Sequence, residues 1–146
     1  MSTFQMRAEI DRNATFFRDA GLDLSEMHFS YPLGAYDLAA KRLASASYAS
    51  TRLTTGGMQA ESADLNGLRA QKLYSHSITE ENLAGLLSET ARSRGWLILY
   101  THDVESDPSV WGCSPKLLRF AVRMALESGC KVLPVNHAIQ YWRGAI

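Results

Sequence analysis

Leu97-Ile98-Leu99-Tyr100-Thr101-His102-Asp103-Val104 is the stretch on which the fold reading turns. Trp96 to Tyr100 are all apolar or aromatic, and Gly95 bounds them upstream. Such a run reads as a strand buried on both faces, as in a parallel sheet. It ends in a histidine and an aspartate and passes into a loop from Glu105 to Cys113. In α/β folds the carboxyl ends of parallel strands are where ligands bind. An imidazole delivered there titrates near neutral pH and suits acid–base chemistry. A histidine that merely caps the loop fits the same position, so both readings stand at this point.

The flanking sequence supplies alternating elements. Thr3 caps a first helix with Met6, Ile10, Ala14 and Phe17 inward, and Gly21 ends it. Met27 to Tyr31 reads as a strand stopped by Pro32 and Gly34. Asp37 opens a second helix that runs to about Ser45, with Ala40 and Leu43 inward. Strands follow over Tyr48–Leu53 and Gln71–Tyr74, separated by a polar loop around Gly56-Gly57. Thr79-Glu80-Glu81 gives a third helix its cap and two dipole-favoured acids. Ser114-Pro115 starts a fourth, with Leu117, Leu118, Ala121, Val122, Ala125 and Leu126 as its buried stripe. Lys131 to Val135 reads as a last strand, and Asn136 caps a short closing helix to about Trp142. Strands alternating with helices argue an α/β fold with a mostly parallel sheet. A complete (β/α) barrel needs about 250 residues, so 146 residues in one domain make part of one.

Composition narrows the function classes. Fifteen basic and fifteen acidic residues cancel, and no basic stripe invites nucleic acid. No apolar run approaches the roughly 20 residues that span a bilayer. The N-terminal stretch lacks the apolar centre of a signal peptide, which points to the cytoplasm. Cys113 and Cys130 are too few for a metal knuckle or a disulfide framework and read as reduced thiols.

Three segments together resemble the polysaccharide deacetylase (NodB-homology) family in its C-terminal part. Phe29-Ser30-Tyr31-Pro32-Leu33-Gly34, with a helix and then Tyr48-Ala49-Ser50-Thr51-Arg52, is similar to the family's aromatic-Pro-x-Gly motif with its helix and next strand. Gly95 to Val104 resembles the late motif, an apolar strand ending in the catalytic histidine. Ser114-Pro115 to Val135 looks like the closing helix and strand. The resemblance runs from about residue 5 to residue 140 and implies a partial (β/α) barrel acting on acetylated carbohydrate. It implies hydrolysis of a carbon–nitrogen bond other than a peptide. His102 would be the general acid for the leaving amine, and the backbone N–H of Leu33 would hold the oxyanion. Tyr31 and Pro32 are expected to touch the sugar, and Trp111, in the loop after His102, either stacks on a sugar ring or covers the half-core.

The chain departs from the family pattern in one half of the chemistry. No Asp-Asp-Gly occurs, and His28, His76, His102 and His137 form no paired motif. Ser30 stands where the family usually has arginine. The expectation is therefore no metal ligand in this chain. A divalent metal such as zinc belongs only to a longer form with an N-terminal half, and this chain alone is inactive. The open edge of a partial barrel implies self-association or pairing with the missing half.

Other residues carry weaker signals. Asp103 reads as a loop-capping group, and His28 and His76 as surface residues. Ser109 and Ser114 lie near His102, yet no Gly-x-Ser-x-Gly elbow supports a serine hydrolase. A non-catalytic interaction or carbohydrate-binding domain is the alternative of another class.

Overall fold

A computed structural model describes residues 2–144. The chain falls into two compact units, Met1–Leu53 with Asp64–Leu68, and Thr54–Ala63 with Arg69–Ile146. Parallel strands alternate with helices in both, as the sequence pattern implies. The strands form two separate two-stranded sheets rather than one, with no closed barrel among the described residues.

The first unit opens with α1, Thr3–Asp19. Its cap is Ser2 and not Thr3. The Ser2 hydroxyl accepts from the Gln5 N–H and the Gln5 side chain accepts from the Ser2 N–H, a reciprocal box that satisfies two otherwise orphaned donors. Ile10 and Ala14 are buried, with Met6 and Phe17 packed beside them. Strand β1, His28–Ser30, lies parallel to β2, Ser50–Arg52, with His28 opposite Ser50 and Phe29 opposite Thr51. Between them a 3-10 turn, Pro32–Gly34, leads to α2, Leu38–Ser45. The Asp37 carboxylate caps α2 by accepting from the Ala40 N–H at 2.7 Å. Leu24, Tyr31, Leu43, Tyr48 and Leu53 make the core.

In the second unit β3, Gln71–Lys72, lies parallel to β4, Leu99–Tyr100. Helix α3, Glu80–Arg92, connects them, and Thr79 caps it through the Asn82 N–H. Helix α4, Pro115–Glu127, follows behind its Ser114 cap, and α5, Val135–Trp142, closes the chain. Leu73, Leu83, Leu87, Cys113, Leu117 and Ala121 form this unit's core.

Further expectations change. The strand expected over 96–101 is only Leu99–Tyr100, and of Trp96 to Tyr100 only Ile98 is buried. Trp96 leaves the ladder to exchange both backbone hydrogen bonds with Gln59 at 2.8 Å, as an antiparallel bridge. The strand expected over Lys131–Val135 does not form and Asn136 is not the cap, lying inside α5; Lys131 sits over the Tyr141 ring, and Pro134, which has no N–H for a ladder, stands at the cap position. On α4 the stripe is narrower than its sequence suggests, because Val122 and Leu126 are exposed while Leu117, Ala121 and Ala125 are buried. No helix among the described residues is long and apolar enough to cross a membrane.

Candidate functional site

The parallel pairing of β3 and β4 brings their carboxyl ends to one rim, and the chain leaves that rim through Leu73-Tyr74-Ser75 and Thr101-His102-Asp103. The Leu73 N–H donates to the Tyr100 carbonyl at 2.8 Å, which extends the pairing to the rim itself. Beyond it, the 103–113 loop folds back so that its ends meet. The His102 N–H donates to the Trp111 carbonyl, and the Cys113 N–H to the Asp103 carbonyl at 2.9 Å. The Gly112 carbonyl accepts from the Ser75 N–H, and the Ser75 hydroxyl accepts from the Ser114 N–H at the start of α4. Backbone groups that a surface loop would leave to water are thus tied to the strand ends.

Asp103 holds the inside of this loop. One carboxylate oxygen accepts from the Ser109 hydroxyl at 2.6 Å, the other from the Ser109 N–H at 2.9 Å. The hydroxyl bond first, then the backbone bond, holds its carboxyl below the ordinary carboxylate range, and the neighbouring His102 acts in the same direction. Asp103 therefore builds the loop rather than the reacting group. Gly112 is required beside it, because a Cβ there would collide with both carboxylate oxygens.

His102 is exposed on this base. Its Nδ1 lies 3.3 Å from the Tyr74 hydroxyl, and its ring neighbours those of Tyr74 and Tyr100. The Trp111 ring meets Tyr74 edge-on at 6.0 Å and is 59% exposed. An exposed imidazole and an exposed indole thus share one buried tyrosine. The sequence pattern singles out His102 and Trp111 but not Tyr74. The only signal for it was its place just beyond a strand parallel to β4.

The other expected site residues belong to the first unit. Tyr31 is buried, packed edge-on against Phe29 and beside Tyr36, so its ring is core and does not offer a face to a sugar. Its hydroxyl is buried with no hydrogen-bond partner. Pro32 and Leu33 are exposed, and Leu33 sits at φ 57°, ψ 11°, a left-handed conformation that costs a non-glycine residue about 1–2 kcal/mol. His28, expected at the surface, is half-buried, with Nδ1 2.9 Å from the Ser50 hydroxyl. His76 is exposed.

The divalent metal that the resemblance implies does not fit these residues. Among the described residues no three His, Cys, Asp or Glu side chains gather as a metal ion requires, and the carboxylate nearest His102 in sequence is held by Ser109.

Comparison with protein-family models, curated proteins and solved structures gives no match to this chain.

Proposed function

We propose that this chain is a polysaccharide deacetylase-like domain, a partial (β/α) barrel, in which the His102 loop forms the acid and sugar-stacking wall of a site for acetylated carbohydrate. One observation carries the reading: an exposed imidazole and an exposed indole stand together at the carboxyl end of parallel strands, both against Tyr74. When the Tyr74 hydroxyl donates to Nδ1, the neutral imidazole carries its proton on Nε2; a second proton taken up on Nδ1, with the hydroxyl turned to accept it, gives the imidazolium that can act as the acid. A positioned acid of this kind contributes about 10²–10⁴ in rate to expulsion of an amine. Trp111 offers the flat apolar face on which a sugar ring stacks. Tyr31 does not keep the sugar contact expected of it, since it is packed in the core. The reading is of a cytoplasmic domain whose hydrolytic chemistry is incomplete in this chain.

A second reading, binding of acetylated carbohydrate without hydrolysis, is favoured by the engagement of Asp103 with Ser109, which leaves that carboxylate in a structural role. Titration with N-acetylglucosamine oligomers, followed by tryptophan fluorescence and by ligand-detected NMR, tests what the two readings share. Binding that is lost in Trp111→Ala and retained in Trp142→Phe is the expected result. The absence of binding to any acetylated oligosaccharide would overturn both. Acetate release separates them.

A further inference from the structure

The outer edge of β4 faces away from everything that β3 satisfies. The β3–β4 ladder uses the carbonyls of Ile98 and Tyr100, which accept from the N–H groups of Gln71 and Leu73. Successive residues of a strand aim their backbone groups to opposite sides, so the N–H and C=O of Leu97 and Leu99 aim the other way. Among the described residues no backbone hydrogen bond engages either residue. Both line a groove of about 930 Å³ that also includes Leu118 and Ala121 of α4, Leu133, and Trp142 of α5. That volume is in the range of ligand-binding clefts.

An apolar wall that carries a row of unpaired amides and carbonyls suits one kind of occupant. A hydrocarbon chain would cover the leucines and leave the backbone groups without partners, whereas an extended peptide satisfies both. A second copy meeting edge to edge is poorly suited, because the edge lies inside a concavity and two concave faces do not fill each other. The charges at the groove add a preference. Among the described residues Arg94 and Lys131 line it against one acid, Glu61, and Lys131 is held 4.2 Å from the centre of the Tyr141 ring.

We infer that the outer edge of β4 is a docking site for an extended partner peptide of alternating apolar and acidic residues, added as a third strand beside Leu97 and Leu99. The site lies apart from the His102 loop and does not depend on the carbohydrate reading.

The probe is the capped peptide acetyl-Val-Glu-Val-Glu-Val-amide at millimolar concentration against the full chain, read by amide hydrogen exchange and ¹⁵N shifts. The amides of Leu97 and Leu99 exchange quickly in the free chain and slow by about ten-fold or more with the peptide. The same peptide N-methylated at alternate residues, which cannot complete a ladder, gives no protection. Lys131→Glu, an exposed change that leaves the core intact, weakens binding by roughly two- to five-fold. Four results would overturn the inference. The N-methylated peptide protects equally, which makes the groove merely apolar. The two amides are already protected in the dilute free chain, which means that the chain's own 131–133 segment covers the edge. Protection rises with protein concentration alone, which makes a second copy the occupant. The peptide shifts neither amide.

Discussion

The Tyr74 hydroxyl and the Nδ1 of His102 lie 3.3 Å apart, joining residues 28 positions apart in sequence at one end of a parallel strand pair. A neutral imidazole holds one proton on two nitrogens, and a hydroxyl that donates to Nδ1 keeps that proton on Nε2. Tyr74→Phe removes the donor and leaves the ring. The variant should lose about 0.5–1.5 kcal/mol of stability and shift the His102 tautomer balance away from Nε2–H. Imidazole ¹⁵N shifts read the balance directly. An unchanged balance would show that Tyr74 packs against His102 without orienting it.

The Asp103 carboxyl titrates below its ordinary value of 3.8 because the Ser109 hydroxyl and N–H bond its charged form. The depressed value sets the sign. The contribution is fully present above 3.8 and is lost as pH falls below it towards the folded-state value. The 103–113 loop should therefore loosen on acidification, seen as faster exchange of the Ser109 amide, and Asp103→Asn should flatten that dependence.

Gly112 gives the same contact a steric test. Gly112→Ala forces a methyl into the Asp103 carboxylate and should destabilise the protein by about 1–3 kcal/mol. With Asp103→Ala in the background the obstruction is gone, and the alanine should cost much less. Equal costs in the two backgrounds, measured by urea unfolding, would mean that some other contact demands the glycine.

Local chemistry was the legible part of this chain. Asp37, Thr79 and Ser114 announce helix starts because a cap acts within three residues, and each of them caps in the structure. The misreading of Thr3 is an error of one position between two hydroxyl residues, decided by Gln5 reaching back to Ser2. Strand lengths were not legible, since a strand ends where its partner does. Trp96 looks like the start of a buried strand until Gln59, 37 residues away, draws it into a bridge. Tyr74 was missed for the same reason, as was Gly112, whose need comes from a carboxylate nine positions back. His102 and Trp111 were legible because an imidazole and an indole beyond an apolar run stand out wherever the strand ends.

His28 carries a second pH signature, opposite in chemistry to that of Asp103. Burial disfavours its charged form and lowers it from 6.5, with Glu26 pulling the other way. Its Nε2 is buried without a hydrogen-bond partner, so a proton added there has no acceptor. The neutral ring therefore supports the fold fully above 6.5. That support is lost as pH falls from 6.5 through the lower folded-state value. Denaturant midpoints on the two sides of 6.5 should fall with acidification in the native chain and change less in His28→Asn. Parallel slopes would remove His28 as the cause.

Leu33 is fully exposed, so its left-handed backbone is not repaid by side-chain burial. Leu33→Gly relieves about 1–2 kcal/mol of strain against roughly 0.5–1 kcal/mol of added chain entropy, leaving a net gain of up to about 1 kcal/mol. The melting temperature should rise accordingly. A fall would show that the left-handed backbone at Leu33 is not a source of strain.

Acetate release divides the hydrolase from the binder. Amide hydrolysis at neutral pH needs a nucleophilic water, a stabilised oxyanion and an acid for the amine. On the proposed reading His102 supplies the last of these, while the carboxylate nearest it in sequence is committed to Ser109. Groups that act together lose most of their effect when one is missing. The 146-residue chain should therefore bind N-acetylglucosamine oligomers through Trp111 and release no measurable acetate from them. His102→Ala should leave that null result unchanged. Supplying a deacetylase N-terminal half, fused or in trans, should bring release that depends on His102. Robust release by the chain alone, insensitive to His102→Ala, would move the chemistry to another residue and end the assignment of His102 as the acid.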